Sequence, residues 1–249
     1  MTPNPIRRVL STFRRYRVRA LLMGGQACIA YGAAEFSRDV DVAVLCSAGN
    51  LRRLRLALEE LAAAPVLAPP LEESYLRRGH ACHFRCRTPE VAGLRVDIMS
   101  VLRGCDAFEK LWERREVLPS RELGRVNLLS LPDLVVAKKT QRDKDWPMIR
   151  RLVEADYFRH KSGPKPGQVE FWLRELRTPE LLVELVRRRP ALARRLEATR
   201  PLLRAAATGN LHRLGKALEG EQASERIADR AYWAPLRKEL EVLRYTRGS

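Results

Sequence analysis

A strand of valines that carries two aspartates is the feature that most constrains the fold of this chain. Residues 40–46 (VDVAVLC) are almost continuously apolar and predict a strand buried in a sheet. Asp39 and Asp41 stand at its start, and side chains two residues apart on a strand lie on the same face. Two carboxylates on a largely buried face repel each other and lose hydration. The sequence therefore predicts a cation between these two side chains.

Segments with strand character occur only in about the first 130 residues. The predicted strands cover residues 19–23, 40–46, 80–87, 94–101 and 126–129. Helices are predicted near the N-terminus, over 26–31 with Gly32 as the C-cap, and after Asn50 as an N-cap. From Pro132 onward only helices are expected, and residues 160–168 (HKSGPKPGQ) form a Pro/Gly/Ser linker. This order indicates an α/β domain followed by a helical domain.

The charge of the chain is strongly positive. Its 249 residues carry 47 Lys and Arg, of which 8 are Lys, against 30 Asp and Glu, for a net charge of +17. Such an excess favours a polyanionic partner such as nucleic acid. A genome that encodes most basic residues as arginine would give the same excess. No apolar run is long enough to span a membrane and the N-terminus lacks a secretory signal, so we expect a cytoplasmic protein without a membrane partner.

The five cysteines indicate a reducing compartment, because an odd number with scattered spacing argues against a disulfide framework. The segment His80-Ala-Cys82-His83-Phe-Arg-Cys86 has the residue types of a zinc site but not a standard ligand spacing. As a strand it would place Cys82 and Cys86 on one face and His83 on the other. Thiols in the core are therefore the favoured interpretation.

Three short features together indicate phosphate chemistry. Gly24-Gly25 follows an apolar strand and precedes a helix, where backbone can approach a ligand and N–H groups favour phosphate. Asp97 is a third acid within an apolar strand and meets Asp39 and Asp41 if the two strands are neighbours. Oxygen-only ligands favour Mg²⁺ or Mn²⁺, completed by water and substrate phosphates. Each feature alone is also compatible with a turn, solvated acids or a salt bridge, but their order predicts metal-assisted phosphoryl or nucleotidyl transfer.

These features carry a resemblance to a known family. The run from Gly24-Gly25 to Tyr31-Gly32, then Ser37, Asp39-Val40-Asp41 and Asp97, resembles the nucleotidyltransferase superfamily, which has the DNA polymerase β-like fold. Within it, the chain is most similar to abortive-infection-type bacterial nucleotidyltransferases, several of which are toxins of toxin–antitoxin pairs. The resemblance covers about residues 18–155. It implies an α+β fold with a mixed sheet and flanking helices over residues 1–160, with core strands about 19–130 and helices 131–158. An all-helical domain over residues 169–249 follows it.

The resemblance also implies residue roles. Asp39 and Asp41 would bind Mg²⁺ or Mn²⁺, and Asp97 would complete this metal site and help to deprotonate the acceptor. Gly24, Gly25 and Ser37 would contact the triphosphate, and Lys138 (or Lys139) would contact the phosphates or base. Asp145, in the segment Arg142-Asp-Lys144-Asp145, would orient Lys138.

The expected activity is transfer of a nucleoside monophosphate from a nucleoside triphosphate to a hydroxyl acceptor. The positive charge favours RNA, tRNA in particular, over a small antibiotic as acceptor, and the resemblance adds a toxin or defence role with an antitoxin protein as partner. One departure from the family motivates an alternative: Glu35 stands where many relatives have Arg four residues before the first acid. The alternatives are a nucleotide- or RNA-binding module without turnover and a nucleotidyltransferase that modifies a small molecule.

Overall fold

A computed structural model describes residues 5–34, 36–66, 68–120 and 124–247. The described chain forms two compact units. The first, the sheet unit, contains residues 5–30, 34–137 and 232–247. The second, the helical unit, contains residues 31–33 and 138–231.

A mixed sheet with seven strands among the described residues is the centre of the sheet unit. Its strands are β1 (Ala20–Met23), β2 (Asp39–Val44), β3 (Ala64–Pro65), β4 (Cys82–Arg85), β5 (Arg95–Met99), β6 (Glu116–Ser120) and β7 (Gly124–Leu128). Their spatial order is β3-β4-β5-β2-β1-β7-β6. The β2–β5 and β1–β7 pairs are parallel and the other pairs are antiparallel. The valine-rich β2 is thus an interior strand, as its continuous apolarity predicts.

The helices follow the strands along the chain. Those of the sheet unit are α1 (Pro5–Arg15), α2 (Gly24–Ala30), α3 (Ala48–Glu60), α4 (Glu73–Arg78), α5 (Phe108–Glu113) and α6 (Leu131–Ala137). Those of the helical unit are α7 (Asp145–His160), α8 (Gln168–Glu175), α9 (Pro179–Arg188), α10 (Pro190–Leu196) and α11 (Leu203–Thr208). The helix α12 (Leu211–Arg247) has residues in both units. Among the described helices, none has an apolar stretch long enough to cross a lipid bilayer.

The predicted α+β class, with a mixed sheet and a helical C-terminal region, is confirmed. The strands expected in the first half are present, and two more, β3 and β6, were not predicted. The strand β6 has the sequence EVLPS and pairs with β7. It contains Pro119 and lacks alternation of apolar and polar residues, so its sequence does not predict a strand. The predicted domain boundaries near residues 160 and 169 stay a prediction.

The cysteines are all free thiols, as expected. Cys82 and Cys86 are buried, while His83 lies on the other face of β4 and is partly exposed. Burial raises the pKa of Cys82 to about 12 and that of Cys86 to about 11. These two side chains are therefore protonated core thiols at neutral pH.

Asn50 is not the N-cap that its position suggests. The cap of α3 is Ser47, whose hydroxyl accepts from the Asn50 backbone N–H at 3.4 Å, so Asn50 lies inside the first turn. Its wholly buried side chain accepts from the Arg19 backbone N–H at 2.7 Å. It also donates to the carbonyl oxygens of Arg19 and Leu45, at 3.1 and 2.9 Å. The amide thereby joins the start of β1 to the end of β2.

We expect Asn50→Ala to lower the free energy of unfolding by about 3 kcal/mol, because it removes three hydrogen bonds of about 1 kcal/mol each and leaves the Arg19 backbone N–H without its partner. Ser47→Ala is the matched control and should cost about 1 kcal/mol, as for the loss of an N-cap. Urea unfolding followed by circular dichroism measures both values. Equal losses for the two variants would contradict the bridging role of Asn50.

Candidate active site

Strand pairing places the three predicted acids on one face of the sheet. In the parallel β2–β5 pair, Asp41 is opposite Asp97 and Asp39 is opposite Arg95. Neighbouring strands are about 4.8 Å apart, and paired residues point to the same face. The acids are partly exposed, whereas the alternate residues Val40 and Val96 are buried on the other face. The sheet therefore has a polar, acidic face at the start of β2.

The glycine pair lies directly beside this face. In the antiparallel β1–β2 pair Met23 is opposite Asp41, and the chain then turns at Gly24, where φ is +63°. A Cβ atom at Gly24 would overlap the carboxylate of Asp41, so glycine is required here for both its backbone conformation and its lack of a side chain. The close approach of Gly24 and Asp41 is a direct contact between the two predicted motifs.

Gly25 lies close to Ser37, just as Gly24 lies close to Asp41. A Cβ atom at Gly25 would overlap the Ser37 hydroxyl. The loop that carries Ser37 is held by Gln26, whose side-chain amide donates to the Ser37 carbonyl oxygen at 3.0 Å. The predicted triphosphate contacts Gly24, Gly25 and Ser37 therefore form one contiguous surface beside Asp41.

Asp97 has two basic partners that the sequence analysis missed. Arg95 Nε donates to Asp97 Oδ1 at 2.7 Å, and His83 Nδ1 lies 2.8 Å from the same oxygen. Arg95 stands two residues before Asp97 on the same strand face, which is a signal that the sequence contains. His83 faces Asp97 across the β4–β5 pair, and this register is not readable from the sequence.

These contacts decide the charge of the cluster. Burial alone would raise the pKa of Asp97, but the hydrogen bonds from His83 and Arg95 outweigh it and hold that pKa below the usual value. The pKa of Arg95 is raised, mainly by its hydrogen bond to Asp97 and further by the charges of Asp39 and Asp41. Arg95 is thus a cation that partly neutralises all three acids.

The donor set fits a divalent cation at Asp39 and Asp41. Mg²⁺ is commonly held by one or two carboxylates and completed by water and phosphate oxygens. Among the described residues, no three His, Cys, Asp and Glu side chains are grouped as a metal site, and one oxygen of Asp97 is already engaged by Arg95 and His83. The expected participation of Asp97 as a third ligand stays a prediction.

Lys138 and Asp145 belong to the helical unit. Lys138 Nζ donates to Asp145 Oδ1 at 3.3 Å, whereas Lys139 Nζ donates to Glu175 Oε1 at 2.8 Å. Of the two adjacent lysines, Lys138 is therefore the one that Asp145 positions. Their predicted contacts with a nucleotide stay predictions, and Glu35 lies outside the described residues.

Asp145 is a buried carboxylate with three donors. Besides Lys138, the Thr140 hydroxyl donates to its Oδ2 at 2.6 Å and Arg142 Nε donates to the same oxygen at 2.8 Å. Burial would raise the pKa of Asp145, but Lys138, Thr140 and Arg142 together lower it below the usual value. The turn between α6 and α7 is thereby organised around one ionised side chain.

Comparison with known proteins gives a limited result. No protein-family model matches the chain, and no curated protein matches it. One solved structure that it is similar to is described as "putative nucleotidyltransferase from H. pylori". The two chains are 13% identical with a TM-score of 0.42, over 89% of this chain and 93% of the other. The function of this chain is therefore argued from its own residues.

We expect Arg95→Gln to tighten the binding of Mn²⁺ alone by about tenfold. The change removes a positive charge beside the three acids, while His83 stays at Asp97 Oδ1. Coulomb energies at such distances are a few kcal/mol before solvent screening. The expected gain is the equivalent of about 1.4 kcal/mol, because the Arg95 side chain is 40% exposed. Electron paramagnetic resonance of free Mn²⁺ measures it. Arg52→Gln, which removes an exposed arginine from α3 in the same unit, is the control. Unchanged or weaker binding in Arg95→Gln would contradict the charge argument.

We expect Asp145→Asn to lower the free energy of unfolding at pH 7 by about 3 kcal/mol, since it leaves a half-buried cation cluster without its anion. The lowered pKa of Asp145 means that its contribution is complete above about pH 4, the unfolded value, and is lost as the pH falls through the folded value. Urea unfolding from pH 7 to pH 3 should therefore show the variant approaching the wild type at low pH. A constant difference across this range would count against an ionised Asp145.

Proposed function

We propose that this chain is a metal-dependent nucleotidyltransferase that transfers a nucleoside monophosphate from a nucleoside triphosphate to a hydroxyl group. The observation that carries the proposal is the contact of Asp41 with Gly24, with Asp39 on the same face and Asp97 opposite Asp41 on the next strand. A carboxylate pair beside a glycine turn suits a cation-bound triphosphate better than it suits a structural salt bridge.

The reaction forms a bond between the acceptor oxygen and the α-phosphorus and breaks the bond from that phosphorus to pyrophosphate. A divalent cation bound at Asp39 and Asp41 would neutralise charge on the phosphates and make the acceptor hydroxyl more acidic. Gly24, Gly25 and Ser37 would contact the triphosphate. Asp97 is ionised at neutral pH because its pKa is lowered, and it would accept the acceptor's proton.

We propose RNA, and tRNA in particular, as the acceptor. The net charge of +17 supports a phosphodiester partner over a cationic antibiotic. The toxin or defence role, with an antitoxin protein as partner, is supported by the sequence resemblance alone. The resemblance also supports Lys138 as a nucleotide-binding residue, and Asp145 would position it.

A second candidate is nucleotide or RNA binding without turnover. Arg95 favours it, because its charge already compensates the acids and one oxygen of Asp97 is engaged. A site of this kind could hold a nucleotide without activating a hydroxyl group. Binding of a nucleoside triphosphate without release of pyrophosphate is the result that separates this candidate from the enzyme.

We expect Asp39→Asn/Asp41→Asn to lower transfer by more than roughly 100-fold, because even residues that only orient metal ligands contribute about 10- to 100-fold. The assay supplies Mg²⁺, each α-labelled nucleoside triphosphate separately, and total cellular RNA. Label in a tRNA-sized band with the wild type identifies both the acceptor class and the nucleotide.

The matched control is Glu109→Gln/Glu113→Gln, which removes two exposed carboxylates from α5 in the same unit. It should transfer as the wild type does. Full activity of the Asp39/Asp41 variant would exclude the mechanism. Pyrophosphate release without labelled RNA would keep the enzyme class and replace the acceptor.

A further inference from the structure

A cavity lies on the other side of the sheet from the acids. It has a volume of about 270 Å³ and is bounded by α1, β1 and β7. Its floor includes Leu22 and Val42, which are opposite each other in the β1–β2 pair. Since Val42 follows Asp41 along β2, it points to the opposite face. The cavity is therefore separate from the candidate active site.

Arginines form the rim of this cavity. They are Arg14, Arg17, Arg19 and Arg125, all exposed, and none of the described residues that line the cavity is acidic. Arg17 has a φ of +53° in the turn between α1 and β1, and that turn is closed by hydrogen bonds from Arg17 N to Arg14 O and from Val18 N to Phe13 O, both 2.9 Å. The backbone thus fixes three of the arginines around one short turn. We call this cavity and its rim the arginine pocket.

Trp112 organises the cations on one side of the arginine pocket. The guanidinium carbons of Arg19 and Arg115 lie 5.0 and 4.3 Å from the centre of the indole ring. Arg115 is further fixed, because Nη1 donates to the Trp112 carbonyl oxygen at 2.6 Å and Nε donates to Asn127 Oδ1 at 3.0 Å. Planar guanidinium groups held in this way can stack on nucleobases as well as bind phosphate.

Other arginines of the chain are buried and form hydrogen bonds or ion pairs in the interior of the helical unit. Arg200 is 3% exposed and donates to the carbonyl oxygens of Leu173 and Leu176 and to Glu221. Arg177 shares Glu221 with it and stacks on Trp146. These charges are compensated inside the helical unit. The arginine pocket differs because its cations surround an open, apolar-floored cavity in which no described lining residue is acidic.

We propose that the arginine pocket binds a segment of single-stranded RNA. The cavity has about the size of one nucleotide, whose base would lie against the apolar floor and the guanidinium group of Arg19. The flanking phosphates would contact Arg14, Arg17 and Arg125. Apolar and planar groups combined with several cations are the features by which single strands are held, whereas an acidic peptide needs the cations alone. The identification of this RNA as the acceptor rests on the proposed function. The proposed binding of RNA to the pocket does not depend on that function.

The test measures the affinity of the full chain for a fluorescein-labelled 12-nucleotide RNA by fluorescence anisotropy, without metal or nucleoside triphosphate. Arg17→Gln/Arg125→Gln should weaken binding at least tenfold and make the slope of log K against log salt shallower by about 1.4, since a single strand contributes about 0.7 for each cation. Arg19→Lys keeps the charge but loses the planar group, and should weaken binding threefold or more.

Arg52→Gln/Arg213→Gln is the matched control, with two exposed arginines removed from α3 and α12. It should bind within about twofold of the wild type. An equal loss in both double variants would show dispersed electrostatic binding and overturn the proposal. Adenosine monophosphate that competes as tightly as the strand would also overturn it in favour of a mononucleotide site.

The binding and the chemistry can fail separately. Asp39→Asn/Asp41→Asn lies on the other face and should not weaken the binding of the labelled RNA. Loss of transfer without loss of RNA binding shows that the strand is held away from the acids, as the arginine pocket requires. Wild-type protein that does not bind the RNA at 50 mM salt would overturn the pocket while leaving the proposed transfer to another acceptor open.

Discussion

The parallel pairing of β2 with β5 is the constraint from which the rest of the acidic face follows. It sets Asp41 beside Asp97 in the interior of the sheet, where solvent screens their repulsion less than it would at the surface. Two local devices make this arrangement stable. Gly24 leaves room for the Asp41 carboxylate, and Arg95 adds a positive charge beside Asp97. A side chain at Gly24 would overlap the Asp41 carboxylate, and a neutral residue at position 95 would leave the charge of Asp97 less compensated, so each change would alter what the face can bind.

Arginine has two separate physical roles in this chain, and the net charge of +17 does not distinguish them. Buried arginines such as Arg200 satisfy carbonyl oxygens and carboxylates, and their planar donors suit that task better than lysine would. Exposed arginines such as Arg17 and Arg125 surround a cavity whose described lining residues include no acid. Only the second group bears on a polyanionic partner. A charge count therefore overstates the surface available for nucleic acid, and the placement of individual residues locates it.

Local patterns in the sequence predicted what depends on local geometry. The strand around Asp41, the shared face of Asp39 and Asp41, and the glycine-to-helix turn at Gly24 all follow from short-range periodicity. The register that brings Asp97 to Asp41 joins residues far apart in the chain, so it was expected only if the two strands were neighbours, as the resemblance implies. The contact of His83 with Asp97 was not predicted. Asn50 illustrates the same limit, because a residue with N-cap chemistry was used for long-range bonds to Arg19 and Leu45 while Ser47 capped the helix. The residue type and position of Asn50 correctly predicted that its side chain bonds to backbone groups, but not which backbone groups these are.

The two faces of the strand β2 have opposite electrostatic character, and this bears on the order of events in the proposed reaction. Asp39 and Asp41 face one side, while Val42 floors the arginine pocket on the other. A phosphodiester strand is attracted to the arginines and repelled by the acids for as long as the acids lack a bound cation. Under the proposed function, RNA can therefore be held by the pocket before the site is loaded, and its hydroxyl end can approach Asp97 only after a cation and a triphosphate have changed the charge of that face. Under these proposals, the sheet would separate retention of the acceptor from its activation.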